Sequence, residues 1–510
     1  MTVKTTSKSC AGNMQGKSVL LTVILAASFL VRILHLDYPL SETFWWGDST
    51  RDYLVASHIL KYQEFPLVGP YNLLFESGIR NSPLYFYALA AFLIPFNHPL
   101  TLSFFNIILQ MLTLFLIFFL TKKMFGVNTA LLATALLSFN PEAIKQSDYI
   151  WQPYLMHSVA LLSLYFLIKT YFEENFKFYL VSLITLTLAF ALHSSAFPWL
   201  PVFLLSGVIF LKNKWIKVFS TFSIIILSTL LFVFLDQLPP ALTVKNWSDY
   251  FSNFNFNLVQ LLNIFNVNYF FLFLLLLFII FLLWQKKKIV DRKLFAVTFL
   301  LFLAPLVFAS LFNKIRPHYL IASLVSFTIW VAVLANFTIP KYKALIFLVI
   351  FVIFTNNLNF LKIDKKPFQN LRYIENITDQ LIKDLKHIKD EKKYLGFDFF
   401  QVHSLGIDEK VYDYPILDTI LLASLERKLE AKLAKVSDNS PYNHVQTNKR
   451  DYIFLSCVIF NKSYTLDCVN EFTKRYGQYK LLKNVYWDKH WQIYLMQSLK
   501  PVPLPVLSNH

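Results

Sequence analysis

Charged residues are scarce in this 510-residue chain: they make up 15% of it, while 56% of the residues are hydrophobic and 17% aromatic. A soluble globular domain carries about 25% charged and about 45–50% apolar residues. The shortage of charge argues against an ordinary soluble protein. It predicts an all-α polytopic membrane protein, in agreement with a mean hydropathy of +0.48.

Nucleotide and metal motifs are missing as well. The sequence has no GxGxxG loop, no Walker A loop, no HExxH and no CxxC. Nothing therefore indicates nucleotide hydrolysis, so the energy for any reaction must come with the substrate. Cysteine is limited to three residues, of which Cys457 and Cys468 lie in a polar tail. They would form a disulfide if the tail is outside the cytoplasm, and two unrelated thiols fit the sequence equally well.

The cations that are present give a net charge of +17. They cluster at the ends of apolar runs and in the C-terminal tail, where membrane topology and anionic lipid headgroups account for them. A nucleic-acid partner is therefore not predicted.

Apolar runs predict about eleven membrane spans, because a helix needs about 20 residues to cross the hydrocarbon core. The candidate spans are 18–35, 100–120, 127–141, 154–171, 178–193, 196–211, 216–235, 268–284, 294–312, 318–336 and 342–360.

The run 81–96 lies between Pro83 and Pro95 and is too short to cross with ease. If it does not cross, the lysine-rich loops from Lys122 to Lys343 fall in the cytoplasm, as the positive-inside rule requires. We therefore predict an interfacial or re-entrant helix, a cytoplasmic N-terminus and an extracytoplasmic C-terminus.

This topology predicts two domains. Residues 1–362 form a transmembrane module with a first external loop at 36–99. Residues 363–510 form a small extracytoplasmic α/β domain, with helical periodicity over 370–390 and 415–436. Strands are predicted in "YLGFDFF", "DYIFLSCVIF" and "WQIYLMQSL".

The stretch "WWGDSTRDYLVASHIL", residues 45–60, places charges beside the first span. On a helix, Asp48, Arg51 and Asp52 share a face with Val55 and Ile59. This predicts a helix at the membrane surface with an ionised carboxylate that could serve as a general base. The alternative is an ordinary solvated juxtamembrane helix with internal ion pairs.

Further polar groups follow on the same predicted side. Asp148 and Gln152 lie in "KQSDYIWQP", where the alternative is a loop with Trp151 in an aromatic belt. His193 ends a span, where a lone histidine is more often a packing residue. Arg316 in "NKIRPHY" could hold a phosphate in bidentate fashion or merely snorkel to the interface.

The order of these motifs resembles the GT-C membrane glycosyltransferases over about residues 18–360. The nearest likeness is to the protein mannosyltransferase and aminoarabinose transferase superfamily, among bacterial phospholipid-carrier-dependent enzymes. "GDSTRD", "FPLVGP" and "SPLYFY" are similar to the family's D-x-x-R-D, P-L-x-G-P and G-P-L-Y-Y-Y. The matching residues are Asp48, Arg51, Asp52, Pro66, Gly69, Pro70, Pro83, Leu84, Tyr85 and Tyr87.

Two positions depart from the family pattern. Ser82 stands where glycine or proline is usual, and Gln152 replaces the asparagine of I-W-N-P. Later segments are similar to the family in carrying a histidine at a helix end, His193, and an R-x-x-Y pattern, Arg316 with Tyr319.

The resemblance implies transfer of a sugar from a polyprenyl-phosphate donor with inversion, and Asp48 as the base. It implies that Arg51, Arg80, Arg316, His193 and Tyr319 contact the donor phosphate, and that Asp52 orients Arg51. The expected partners are the lipid-linked sugar, membrane lipids and a glycan, lipid or protein acceptor.

A bacterial inner-membrane location is the corresponding expectation. No cofactor or metal site is predicted, although Asp48 and Asp52 could share a divalent cation. Three other classes stay open. They are a transporter or flippase for lipid-linked glycans, a polymerase or ligase of whole oligosaccharides, and a catalytically inactive scaffold that carries an exported tail domain, against which the intact Asp48 argues.

Overall fold

The computed structural model describes most of the N-terminal two thirds of the chain and parts of the tail. The described ranges are 7–34, 46–67, 69, 82–148, 151–211, 214–234, 247–265, 292–311, 322–337, 371–386, 395–398, 424–425, 427–428, 434–436, 445–447, 452–458, 479–487 and 491–499. The predicted spans 268–284 and 342–360 lie outside these residues.

Helices dominate the described residues. In chain order they are α1 Ser7–Leu34, α2 Trp46–Tyr62, α3 Leu84–Leu93, α4 Pro99–Phe125, α5 Val127–Ser138, α6 Pro141–Asp148, α7 Gln152–Glu173, α8 Phe176–Leu192, α9 Trp199–Phe210, α10 Trp215–Phe234, α11 Trp247–Phe265, α12 Arg292–Ser310, α13 Ala322–Phe337 and α14 Leu371–Lys386. A short 3₁₀ turn, Ser194–Ala196, joins α8 to α9.

Three of the described helices are long and apolar enough to cross a membrane: the 16–34 part of α1, α4 and α7. Shorter apolar helices occupy most of the other predicted spans. Helix α3 has ten residues and is about 15 Å long at ~1.5 Å per residue. The run 81–96 therefore forms a helix too short to cross by itself.

Contacts divide the chain into two compact units. The first comprises 1–36, 67–88 and 100–364, and the second comprises 37–66, 89–99 and 365–510. The division near 364 lies close to the boundary predicted at 362, but it groups much of the first loop with the tail.

The hairpin of α7 and α8 shows how local sequence closes the first unit. Glu174 adopts a left-handed conformation with φ 46°, which ends α7. The side chain of Asn175 then caps α8 by accepting a hydrogen bond from the Lys177 amide at 2.9 Å. Ser163 donates across the pair to the Ser182 carbonyl at 2.6 Å. A tight turn and small facing residues thus hold the two helices antiparallel.

The second unit contains the strands of the tail: β1 Leu395–Asp398, β2 Ala434–Val436, β3 Val445–Thr447, β4 Tyr452–Val458, β5 Tyr479–Trp487 and β6 Trp491–Ser498. A four-stranded sheet has the order β1-β4-β6-β5, with β1 parallel to β4 and the other pairs antiparallel. Strands β2 and β3 form a separate antiparallel pair.

The three strands predicted in the tail are present as β1, β4 and β6, and α14 confirms the helix predicted over 370–390. Strand β5 was not predicted, because its residues, "YKLLKNVYW", do not alternate cleanly. The end of the helix predicted over 415–436 is wrong, because residues 434–436 pair with β3 instead. A high local helix propensity is overridden there by strand pairing.

Candidate functional site

Helix α2 carries the charged cluster of the first loop. Residues 51–59 are buried without interruption, and the exposed residues near the end are Leu60 and Lys61. The alternative of an ordinary solvated juxtamembrane helix is therefore wrong, while the location of α2 at the membrane surface stays a prediction. Asp48 lies in the first turn of α2, and its side chain is outside the described residues.

Arg51 and Asp52 form a buried ion pair on α2. The Arg51 Nη2 and Nε atoms donate to Asp52 Oδ1 at 2.7 and 3.0 Å. Asp52 is 0% exposed and Arg51 9%. Two donors of one guanidinium on a single carboxylate oxygen hold the arginine in a fixed direction. The geometry suits the orienting role expected of Asp52.

The C-terminal end of α2 is closed by a pair that sequence reasoning missed. His58 Nδ1 lies 2.7 Å from Glu64 Oε2, and His58 is 0% exposed. Gln63 between them has a φ of 55°, which turns the chain back on itself. A second contact joins α2 to the loop after α3, where the Asn97 amide donates to Ser57 Oγ at 2.8 Å. These contacts hold α2 at its far end from Asp48.

The tail reaches the same unit through Glu375 of α14. Its carboxylate accepts from Arg427 Nη2 and lies 3.2 Å from His98 Nε2, just before α4. Burial lowers the pKa of His98, and the Arg427 charge lowers it further, while Glu375 opposes both. A neutral His98 thus links the end of the first loop to the tail.

In the first unit, helix α6 carries Asp148 as its last residue, and Arg32 of α1 donates to oxygens at two positions along that helix. Arg32 is 1% exposed. It donates to Ser147 Oγ at 2.8 Å and to the Ser138 carbonyl, the last of α5, at 2.9 Å. It also reaches the Ala143 carbonyl at 3.4 Å. One guanidinium therefore joins α1, α5 and α6.

Asn106 of α4 provides a second support for α6. It is 0% exposed, and its amide donates to the Gln146 carbonyl at 2.6 Å. Asn140 caps the helix at the other end by accepting from the Ala143 amide at 3.0 Å. Helix α6 is thus fixed by neighbours although it has only eight residues. The Asp148 side chain lies outside the described residues.

Gln152 opens α7 directly after this segment and is 4% exposed. Trp151 before it is 6% exposed and packs edge-on against Tyr154 with ring centroids 5.4 Å apart. The alternative of a loop with Trp151 in a lipid-facing belt is wrong, because the segment is helical on both sides and the indole is buried.

His193 caps the 3₁₀ turn between α8 and α9. Its Nδ1 accepts from the Ser195 amide at 3.2 Å and lies 2.8 Å from Ser195 Oγ. The ring is 4% exposed. Because Nδ1 accepts, a neutral ring carries its proton on Nε2. The packing role that a lone histidine usually has is present here, and Nε2–H is the donor for any further contact.

Two of the predicted polar groups lie at one end of the first unit. Helix α7 contacts the turn that holds His193, so Gln152 and His193 belong to the same end of the bundle. Phe197, after that turn, lies 4.8 Å from Phe308 near the end of α12. The first unit therefore gathers Gln152, His193 and the end of α12 on one side.

The remaining predicted phosphate contacts, Arg80, Arg316 and Tyr319, lie outside the described residues. Among the side chains that the structure does describe, no group of three or more His, Cys, Asp or Glu could hold a metal ion.

Comparisons with known proteins give matches by structure alone. No family profile and no curated protein sequence matches the chain. The structure matches ArnT from Cupriavidus metallidurans bound to undecaprenyl phosphate, with a TM-score of 0.58 at 11% identity, over 93% of this chain and 97% of that one. The apo state of the same protein gives a TM-score of 0.58 at 11% identity, with 94% and 98% covered.

A looser match is with AglB, the Archaeoglobus fulgidus oligosaccharyltransferase, in complex with an inhibitory peptide and a dolichol phosphate. Its TM-score is 0.44 at 12% identity, over 87% of this chain and 70% of that one. A score this low does not establish a shared fold.

The ArnT match extends over nearly the full length of both chains, so it includes the loops and the tail as well as the helices. The apolar helices support a membrane location for the chain. The likeness to GT-C glycosyltransferases predicted from the sequence is confirmed at the level of the fold: the chain folds as the aminoarabinose transferase does.

Proposed function

We propose that the chain is an integral-membrane glycosyltransferase that transfers a sugar from a polyprenyl-phosphate donor to an acceptor on the extracytoplasmic side. The observation that carries this proposal is the full-length fold match to an aminoarabinose transferase with undecaprenyl phosphate bound. The motif order around Asp48 points to the same class independently of the fold.

The chemistry follows from the donor. The acceptor hydroxyl attacks the anomeric carbon, the bond from that carbon to the phosphate oxygen breaks, and polyprenyl phosphate leaves. The hydroxyl proton passes to Asp48 as general base. Because the acceptor attacks directly, the anomeric configuration inverts and no glycosyl-enzyme forms.

The buried pair on α2 supports this role for the first loop. Asp52 is 0% exposed and pairs with the guanidinium of Arg51. Removing both charges from water costs free energy that their attraction only partly offsets, so the pair is not explained by a gain in stability. Asp52 lies one helical turn after Asp48, where it can fix the direction of the Arg51 side chain. Arg51 would then contact the phosphate or hold Asp48 in place.

The leaving phosphate needs donors, because its charge grows as the glycosidic bond breaks. Arg51, Arg80, Arg316 and Tyr319 are our candidates, as is His193 through Nε2–H. Asp148 and Gln152 are assigned to supporting the acceptor or the sugar. We further propose that the protein lies in a bacterial inner membrane with its C-terminal domain on the extracytoplasmic side.

Transfer from a synthetic polyprenyl-phosphate sugar tests it directly. The purified protein in liposomes should release polyprenyl phosphate from at least one member of a panel of donors. Asp48→Asn should lower that rate by about 10² to 10⁴, since it keeps the shape of the side chain and removes the base. Asp249→Asn, in the first turn of α11, is a matched control and should turn over like the wild type.

Normal turnover by folded Asp48→Asn would exclude Asp48 as the base. No release from any single-sugar donor, with release from a donor bearing a whole oligosaccharide, would favour the polymerase or ligase class. A flippase would move the donor between leaflets without cleaving it.

A further inference from the structure

Helix α11 is hydrogen-bonded to the end of an apolar helix. Its Asn253 amide donates to the carbonyl of Ser310 at 3.3 Å, and its Asn257 amide donates to Ser310 Oγ at 3.2 Å. Ser310 is the last residue of α12 and follows the apolar stretch Ala296–Phe308 by two positions. The two amides therefore hold α11 at the depth where that apolar stretch meets the polar boundary.

The exposed part of α11 is strongly aromatic. Trp247 is 77% exposed and Phe251 62%. At 100° per residue, Trp247, Phe251, Phe254 and Leu258 share one edge of the helix. The rings of Trp247 and Phe251 lie 6.2 Å apart, so this aromatic edge is continuous where it is most exposed.

Most of the neighbouring positions are polar. Ser248, Ser252 and Asn255 are exposed and form the next edge round the helix, which also includes the half-buried Val259. Asp249 and Gln260 lie beyond them, on the side opposite the aromatic edge, with Phe256 as the one large apolar residue there. The helix thus has an amide edge against α12, an aromatic edge and a polar edge, in that order round its axis.

Three such edges fit one environment. Tryptophan concentrates at the headgroup level of a bilayer, and helices that lie in this layer bury a face of Trp, Phe and Leu while their polar face meets water. A helix fixed at the end of an apolar helix is already at that level. A soluble partner would contact the polar edge from the aqueous side. The aromatic edge lies at the depth of the membrane, where its apolar partner is lipid.

We infer that α11 is an interfacial helix whose Trp247–Phe251–Phe254–Leu258 edge inserts into the lipid headgroup boundary at the end of α12. The partner is the lipid surface itself. The inference goes beyond the proposed function and does not depend on it, because it concerns where the helix lies and not what the protein transfers.

Nitroxide labels at adjacent positions separate the two edges. In a background with Cys10, Cys457 and Cys468 replaced by serine, Phe251→Cys and Ser252→Cys are each labelled and the protein is placed in nanodiscs of phosphatidylethanolamine and phosphatidylglycerol. We expect label 251 to relax mainly with oxygen, which partitions into lipid. We expect label 252 to relax mainly with a water-soluble nickel chelate, so that the ratio of the two effects differs severalfold.

Two results would overturn the inference. Nickel-dominated relaxation at both positions would place the aromatic edge in water. Protection of label 251 from both reagents would show that protein covers it, which a second copy of this chain or another subunit would do.

A second measurement uses the native cysteines. Tryptophan fluorescence of the wild type and of Trp247→Phe is compared in liposomes with and without lipids brominated near the headgroup. We expect brominated lipid to quench the emission of Trp247, so the wild type should lose a larger fraction of its fluorescence than Trp247→Phe. Equal fractional quenching of the two proteins would contradict insertion even if the cysteine-free variants do not fold.

Discussion

Two arginines of this protein are almost equally buried, yet they are held in different ways. Arg51 pairs with Asp52, its neighbour in sequence, inside the second unit. Arg32 donates to oxygens of Ser138 and Ser147, more than a hundred positions away, inside the first unit. The Arg51–Asp52 pair joins neighbours in one helix, whereas the Arg32 contacts form only when α1, α5 and α6 pack together.

The difference separates two uses of a buried cation. An ion pair within one helix contributes little that holds distant elements together, and its place on α2 agrees with the role that we propose for that helix in the reaction. A guanidinium shared among helices satisfies backbone carbonyls at a junction and points to architecture. Arg32 is in this sense a positioning residue for α6, the helix that ends at Asp148.

The largest effect should come from breaking the Arg51–Asp52 pair on one side. Asp52→Ala leaves a buried guanidinium without this carboxylate and should destabilise the protein by about 3–5 kcal/mol. Replacing both residues, as Arg51→Met with Asp52→Leu, should recover much of that stability but not transfer. Denaturation in detergent and donor cleavage are measured on all three proteins. Recovery of transfer in the double variant would show that the pair is only structural.

Arg32 should give the next largest effect. Arg32→Met removes the donor from the carbonyls of Ser138 and Ala143 and should lower stability by about 1.5–3 kcal/mol. Arg32→Lys keeps the charge but cannot reach the acceptors on both α5 and α6 at once, so it should recover only part of the loss.

Lys17→Met on the same helix is the matched control and should change stability by less than about 0.5 kcal/mol. Because a positioning role acts through α6, Arg32→Lys should lower turnover more than it raises the donor KM. Full activity of a folded Arg32→Met would separate α6 from the reaction.

The smallest effect should come from Asn106, which supports α6 without a charge. Asn106→Leu removes the amide donated to the Gln146 carbonyl and should lower stability by about 1 kcal/mol, as hydrogen bonds between membrane helices do. Amide exchange of α6 should accelerate. Thr113→Val removes the bond to Ser158 Oγ on α7 and should leave α6 exchange unchanged. Equal acceleration in both variants would mean that the exchange reports general loosening.

The sequence predicted most of what depends on local pattern. The apolar runs appear as helices within the described residues, the Pro83 helix is short, and strands β1, β4 and β6 are where alternation placed them. The GT-C likeness came from the order of short motifs, and the fold agrees with it. The roles of Asp48, Arg80, Arg316 and Tyr319 stay predictions, since their side chains lie outside the described residues.

Other features had no signal in the sequence. The sequence around His58 does not show that this histidine pairs with Glu64. Likewise, Arg32 in the last turn of α1 gives no sign that it binds the junction of α5 and α6. The clustering of the first loop with the tail through His98 and Glu375 joins positions 277 apart. Nothing in either segment alone predicts the other.

By itself the sequence determined that the chain belongs in a membrane and where its helices and strands form, because hydrophobic runs, charge placement and helical spacing are properties of short segments. Tertiary structure decided which polar groups are buried and what holds them. Burying Arg32, Asn106 or Asp52 is tolerable only where oxygens or a cation are already in place. Except for the pair within α2, those partners come from remote parts of the chain that only folding brings within hydrogen-bond distance.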